Sequence, residues 1–220
     1  MTTSASLRTV VAKLVFQNPI VLAAGTAGYG EELTGVLRLD ALGGFVTKAV
    51  SREPRAGAPA PRVAEFEGGM INAVGLANPG LEVVRTKHVP WLASHLPATR
   101  KIVNVVGFTV DEFATVVAGL EDALQTHGSG VDGFEINVSC PNVKAGGMEF
   151  GADSAALRSV VDGVRRETSR PVFVKLSPTL ANIGDAARGG ADAGADAISV
   201  VNTIPGLVID VERRRPVLGF

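Results

Sequence analysis

The only cysteine of the chain, Cys140, ends an apolar run in the stretch FEINVSCPN (134–142). A thiol has an ordinary pKa of about 8.5, so modest tuning makes it a proton acceptor near neutral pH. A nucleophile would commonly use backbone N–H groups beside it to stabilise an oxyanion, and Pro141 has no N–H to give. The pattern favours general acid–base work on a C–H or N–H, with a small buried core residue as the other interpretation.

Two lysines and three asparagines end other apolar runs of the chain. A single lysine at such a place often extends into solvent, but Lys48 and Lys175 follow different runs and can hold anionic oxygens or polarise a carbonyl. Asn104, Asn137 and Asn202 recur at equivalent places, and each amide offers donors and an acceptor. Together these residues predict a planar, hydrogen-bonding ligand.

These polar residues must be positioned by the short β-branched runs that precede them. The runs alternate with segments of helical period, which is typical of buried parallel strands joined by helices. We predict strands at residues 18–25, 43–50, 100–107, 132–140, 170–177 and 195–202. Thr109 with Glu112 predicts the start of one helix and Gly128 its end, and the next helix is predicted to begin near Asp153 or Ser154.

The ends of the strands distinguish two α/β folds that share this alternation. An open doubly wound sheet concentrates its ligand at one crevice, whereas a barrel gathers the carboxyl ends of all its strands around one mouth. Each of the six strands ends on a polar or small residue, with Gly25 and Thr26 at the end of the first, and this pattern favours the barrel. We therefore predict an α/β fold of the (β/α)8 TIM-barrel type, incomplete here because only about six βα units are visible.

Composition excludes several classes of function. With 21 Lys and Arg against 22 Asp and Glu, the chain has no basic surface to attract nucleic acid or an anionic membrane. One cysteine excludes an intrachain disulfide and suits a reducing cytoplasm. We expect no metal site, because His88, His95 and His127 have no second ligand at a suitable helical spacing. No leader peptide or membrane-spanning segment is expected either.

Several separate motifs resemble one enzyme family. NPIVLAAGTAGYG, GGFVTKAV, MINAVGLANPG, NVSCPN, FVKLSP and VVNTIPGLVIDVERRRPVLGF occur in the order found in the class 1 dihydroorotate dehydrogenases, the FMN enzymes of pyrimidine biosynthesis. The cysteine in NVSCPN resembles the class 1 enzymes, which carry cysteine at this position, whereas the class 2 membrane enzymes carry serine. The segments NAVGLANPG and VNTIPGLVIDVERRRPVL resemble class 1B more than the fumarate-using class 1A.

The resemblance implies a role for each matching position. Cys140 matches the base that removes the C5 proton of dihydroorotate while the C6 hydride passes to FMN. The positions that match the binding site for dihydroorotate or orotate are Lys48, Asn72, Ala73, Val74, Gly75, Leu76, Asn137, Asn202 and Thr203. The positions that match the FMN site are Thr26, Lys48, Ala49, Asn104, Asn137, Lys175 and Val201.

The resemblance also implies partners and a longer chain. Class 1B enzymes pass electrons to NAD through a subunit that carries FAD and an iron–sulfur cluster, so a homodimer or heterotetramer is expected. The family continues past VLGF with two further barrel units that hold the FMN phosphate, which makes residues 1–220 one C-terminally truncated barrel domain. Two alternatives remain, a dihydropyrimidine dehydrogenase-like reductase domain and a non-catalytic barrel fragment. Lys48 favours orotate, because uracil has no carboxylate to meet a cation.

Overall fold

Six parallel strands form the central sheet of the structure, a computed structural model that describes residues 6–128, 130–139, 141–142 and 148–218. We label them β1 (Val21–Leu22), β2 (Gly44–Val46), β3 (Arg100–Val105), β4 (Gly133–Asn137), β5 (Val172–Lys175) and β6 (Ala197–Ser199). Each strand pairs with the next one along the chain. Because the order never reverses, this sheet has no switch point, and the prediction of an incomplete barrel is confirmed.

The sheet curls into part of a barrel with distinct inner and outer faces. Side chains alternate along a strand, so Ile102 points inward whereas Val103 points outward. The inner cluster consists of Phe16, Val46, Ile102 and Phe173. Val21 of β1 and Ala197 of β6 line the same cavity, although they belong to opposite edges of the sheet.

Helices cover the outer face. They are α1 (Gly80–Val83), a π-helical turn (Val84–His88), α2 (Val89–His95), α3 (Val110–His127), α4 (Ser154–Glu167) and α5 (Ile183–Asp192). Their apolar faces meet the outer side chains of the strands in the largest cluster of buried residues, which includes Phe113, Phe134 and Leu157. Within the described residues, no helix is long and apolar enough to cross a membrane.

The predicted helix ends are confirmed. Thr109 accepts a hydrogen bond from the Glu112 N–H at 3.3 Å, and the Glu112 carboxylate accepts one from the Phe108 N–H at 2.6 Å. Gly128 ends α3 with φ 75°, a left-handed conformation that glycine adopts without a Cβ clash. Asp153 caps α4 by accepting from the N–H of Ala155 and Ala156.

Antiparallel hairpins interrupt the alternation of strands and helices. One pairs Thr9–Val11 with Leu14–Phe16, and another pairs Ile209–Asp210 with Arg215–Pro216. A third hairpin, which the sequence did not predict, pairs Val63–Phe66 with Gly69–Asn72. Gly68, with φ 86°, permits the two-residue turn between these strands.

His88 provides a test of the packing between the helices and the loop after β1. Its ring is 8% exposed and stacks on Tyr29 with centroids 4.3 Å apart. Nδ1 has no hydrogen-bond partner within the described residues. Burial is the main cause that lowers the pKa of His88 below its ordinary value. The folded state therefore holds the neutral imidazole to lower pH than the unfolded state does.

We expect the free energy of unfolding to fall as pH decreases below about 6.5, where the unfolded state begins to protonate His88 more readily than the folded state. The loss should grow until the pH reaches the lowered pKa of the folded protein. His88→Gln should reduce this pH dependence in urea denaturation at about pH 7.5 and about pH 5.5. His95→Gln, at an exposed histidine, is the control for the substitution itself. Equal pH dependence in all three proteins would contradict the assignment.

Candidate active site

A layer of four buried polar side chains lies on three neighbouring strands. Asn104 of β3 stands opposite Glu135 of β4 in the strand register, and Asn137 of β4 stands opposite Lys175 of β5. The exposed fractions of these residues are 1% for Asn104, 4% for Glu135, 6% for Asn137 and 8% for Lys175. Burying polar groups is unfavourable unless they are paired, so their partners determine what this layer can bind.

Glu135 is the centre of these contacts. Its Oε1 accepts a hydrogen bond from Asn104 Nδ2 at 2.7 Å and lies 3.8 Å from Lys175 Nζ. Asn137 Oδ1 accepts from Asn202 Nδ2 at 3.3 Å and from the Ser139 N–H at 3.2 Å. Asn104 and Lys175, predicted separately from the sequence, therefore meet at Glu135, and Asn137 and Asn202 bond to each other.

This layer borders an open cavity of about 540 Å³ inside the curled sheet. The polar lining includes Glu135, Lys175 and Ser199, and Val201 lies at the same wall. The rest is largely apolar and includes Val21, Val46, Ile102, Phe173 and Ala197. An apolar cavity with a few converging polar groups is typical of a site for a small planar ligand.

The segment after β2 holds Lys48, two residues beyond Val46, which lines this cavity. The Lys48 N–H donates to Gly28 O at 2.7 Å, and the Tyr29 hydroxyl donates to Ala49 O at 2.9 Å. Burial is the main cause that raises the pKa of Tyr29, so the hydroxyl keeps its proton for this bond. Lys48 is half-buried, and its Nζ forms no hydrogen bond or ion pair with the described residues. The backbone is thus fixed while the ammonium stays available.

The segment predicted to bind substrate, residues 72–76, approaches the carboxyl end of β2. Leu76 packs against Ala49 and Val106. Ala73 and Val74 are fixed by backbone hydrogen bonds, from the Ala73 N–H to Arg62 O and from the Ala58 N–H to Val74 O.

Further along the chain, the segment after β6 comes close to the hairpin that precedes this loop. A Cβ placed on Gly206 would stand 4.0 Å from Ile71 Cδ1. The segments that contain the predicted substrate-binding residues Asn72 and Thr203 therefore approach each other.

Other predicted site residues are not brought into the polar layer. Asn72, Gly75 and Thr203 are exposed, and neither the Asn72 nor the Thr203 side chain forms a hydrogen bond within the described residues. Thr26 is exposed and donates its hydroxyl to Ala23 O at 2.6 Å. Cys140 lies outside the described residues, so its assignment as a base stays a prediction.

Sequence reasoning missed Glu135 and Tyr29. Glu135 is a charged residue within a buried strand and is two positions before Asn137, so it shares the inner face with that residue. This alternation was a usable signal. Tyr29 offered no comparable signal, because its contact with Ala49 joins residues 20 positions apart across two loops. Within the described residues, no group of three or more His, Cys, Asp or Glu could hold a metal ion.

Consecutive parallel strands with polar residues at their carboxyl ends define an α/β-barrel protein, and the cavity beside Lys175 and Ser199 is its candidate small-molecule site. The family model described as "Dihydroorotate dehydrogenase" matches residues 6–219. The chain belongs to the dihydroorotate dehydrogenase family.

Curated relatives agree with the family match. The chain is 44% identical over 209 residues to "Dihydroorotate dehydrogenase B (NAD(+)), catalytic subunit" of Geobacter sp. (strain M21). It is 46% and 47% identical over 210 residues to proteins of the same name from Trichlorobacter lovleyi and Desulforudis audaxviator. Each alignment covers 95% of this chain and 66% of the relative. The chain thus spans slightly less than two thirds of the length of these relatives.

Proposed function

We propose that residues 1–220 form part of the FMN-binding barrel domain of a dihydroorotate dehydrogenase, which oxidises dihydroorotate to orotate in pyrimidine biosynthesis. The observation that carries this proposal is the buried layer of Asn104, Glu135, Asn137 and Lys175, in a chain of this family. The names of the relatives support the same reaction.

The cavity suits a flavin ring. Its apolar wall can stack against a planar ring system, and the Lys175 ammonium can stabilise the negative charge that develops at the pyrimidine edge on reduction. Bound FMN would supply the hydride acceptor. The residues proposed to hold it are Thr26, Lys48, Ala49, Asn104, Asn137, Lys175 and Val201.

Side chains at the carboxyl ends of the strands would also recognise the substrate. The Lys48 ammonium would pair with the carboxylate of dihydroorotate, and the amides of Asn137 and Asn202 would bond to its ring. Backbone groups of the loop after the hairpin would cover it and exclude water. The residues proposed for this cover and for the far edge of the ring are Asn72, Ala73, Val74, Gly75, Leu76 and Thr203.

Cys140 would remove the C5 proton. The thiolate takes this proton, the hydride leaves C6, and the remaining electron pair forms the C5=C6 double bond of orotate. Two hydrogens are thereby lost from the substrate, one to sulfur and one to the hydride acceptor. Pro141 follows directly, so an N–H is absent where an oxyanion would need one.

We further propose a partner that removes the electrons. The relatives are named as NAD(+) enzymes and as catalytic subunits. The names support a second subunit and a link to NAD, and the resemblance to class 1B implies that this subunit carries FAD and an iron–sulfur cluster, in a homodimer or heterotetramer. A cytoplasmic location agrees with the single cysteine of the chain.

Anaerobic reduction of the flavin tests the reaction. The full-length protein, loaded with FMN, is mixed with dihydroorotate or with dihydrouracil, and the absorbance of the oxidised flavin is followed. We expect dihydroorotate to bleach the flavin and dihydrouracil to leave it oxidised. The reverse result would favour a dihydropyrimidine dehydrogenase-like domain, and no reduction by either compound would indicate a non-catalytic barrel.

A further inference from the structure

We propose that Glu135 is a positioning residue that orients Asn104 and Lys175 toward the flavin. It is absent from the set of site residues expected from the sequence. The inference rests on the proposed FMN site and adds to it the group that fixes two of its contacts.

Glu135 is placed to act on both neighbours through one oxygen. Its side chain is 6% exposed, and Oε1 contacts Asn104 Nδ2 at 2.7 Å and Lys175 Nζ at 3.8 Å. Oε2 accepts no hydrogen bond from the described residues. Among the described residues that line the cavity, Glu135 and Lys175 are the only ionisable ones. The carboxylate therefore balances the one cation of this wall.

The contact with Asn104 determines which way its amide faces. An ionised carboxylate only accepts hydrogen bonds, so the Asn104 NH2 group must point toward Glu135. The amide oxygen Oδ1 then faces away from Glu135. With the opposite orientation, two oxygens would face each other in a buried place, which is unfavourable. Glu135 thereby turns Asn104 into a hydrogen-bond acceptor for a ring N–H.

The contact with Lys175 restrains the ammonium without using all its donors. Lysine carries three N–H donors on a flexible stem, and the 3.8 Å separation is that of a loose ion pair. Lys175 therefore keeps donors for a ligand. A purely structural ion pair would not need free donors beside a cavity.

Affinity for oxidised FMN measures this role. The oxidised isoalloxazine ring is uncharged, so its contacts with Asn104 and Lys175 depend on how these side chains are oriented more than on their net charge. The full-length protein is titrated with FMN, and the quenching of flavin fluorescence gives the Kd. We expect Glu135→Leu to raise the Kd about 10- to 100-fold, because two hydrogen-bonding groups lose their orientation.

Two comparisons separate the loss of side-chain orientation from general damage to the fold. Glu135→Gln keeps an acceptor oxygen for Asn104 and should raise the Kd no more than about threefold. In an Asn104→Ala, Lys175→Met background, Glu135→Leu should change the Kd no more than about twofold, since its targets are gone. Glu121→Leu is the matched control, because Glu121 is an ion-paired carboxylate on the outer side that contacts Arg170.

Glu135→Ala is the second variant and replaces Glu135→Leu if the Glu135→Leu protein does not fold. A folded Leu or Ala variant that binds FMN as tightly as the wild type would overturn the proposal. An equal loss of FMN affinity from Glu135→Leu in the wild-type and in the Asn104→Ala, Lys175→Met background would also overturn it. So would a similar loss with Glu121→Leu. The titration contains no dihydroorotate, so the proposed substrate can fail while this inference stands, and the reverse also holds. A wild-type protein that binds no FMN would overturn both.

Discussion

Cys140→Ser is expected to slow the reduction of the flavin by dihydroorotate about 10²- to 10⁴-fold near neutral pH, the range that a positioned general base contributes. A serine hydroxyl is far less acidic than a thiol, so far less of it is in the basic form at this pH. The affinity for orotate should change little, because the substitution conserves the size of the side chain. Anaerobic stopped-flow absorbance measures the rate.

Ser139→Ala is the matched control for this variant. Ser139 is the preceding residue, and its hydroxyl has no hydrogen-bond partner within the described residues. Only its backbone N–H contacts Asn137, and alanine keeps that group. The control should therefore reduce the flavin at a rate close to that of the wild type. An unchanged rate for Cys140→Ser would show that Cys140 is not the base.

Lys48→Ala is expected to weaken orotate binding about 10- to 100-fold, since a hydrogen bond to a charged group contributes about 1.5–3 kcal/mol. The ammonium forms no other ion pair within the described residues, so its charge is free to meet a carboxylate. The change in the flavin spectrum on titration with orotate measures the Kd. Uracil, which lacks the carboxylate, should show a much smaller change between the two proteins.

Lys87→Ala is the control for the loss of a positive charge. Lys87 lies in the π-helical turn, where its exposed ammonium is 3.3 Å from Glu31. Its removal alters the net charge of the protein by the same amount as Lys48→Ala does. Orotate affinity should stay at the wild-type value in this control. Equal affinity in Lys48→Ala and the wild type would remove Lys48 from the substrate site.

The six strands and the main helix ends were predictable because their signals are local. Apolar β-branched runs report burial on both faces of a strand, as in Val103 and Ile136, which the structure places within the sheet. Thr109 and Gly128 were correct for a similar reason, since a capping residue and its partners lie within one helical turn. The family could be identified because its motifs are short and contiguous.

The hairpin over residues 63–72 was not predicted, because its sequence carries few strand signals and many turn residues. Its strands become stable only when they pair with each other, and Gly68 provides the turn. The contact of Tyr29 with Ala49 and its stacking on His88 were also beyond the sequence. Both depend on where three distant segments meet after folding.

For the site, the sequence established which residue types reach the carboxyl ends of the strands, because a strand places its side chains by simple alternation. It did not establish which of them touch. The bond from Asn104 to Glu135 and the ion pair between Glu135 and Lys175 join three strands through their register, across 31 and 40 positions of the chain. Only the curled sheet decides that register, and with it the orientation of the groups that face the cavity.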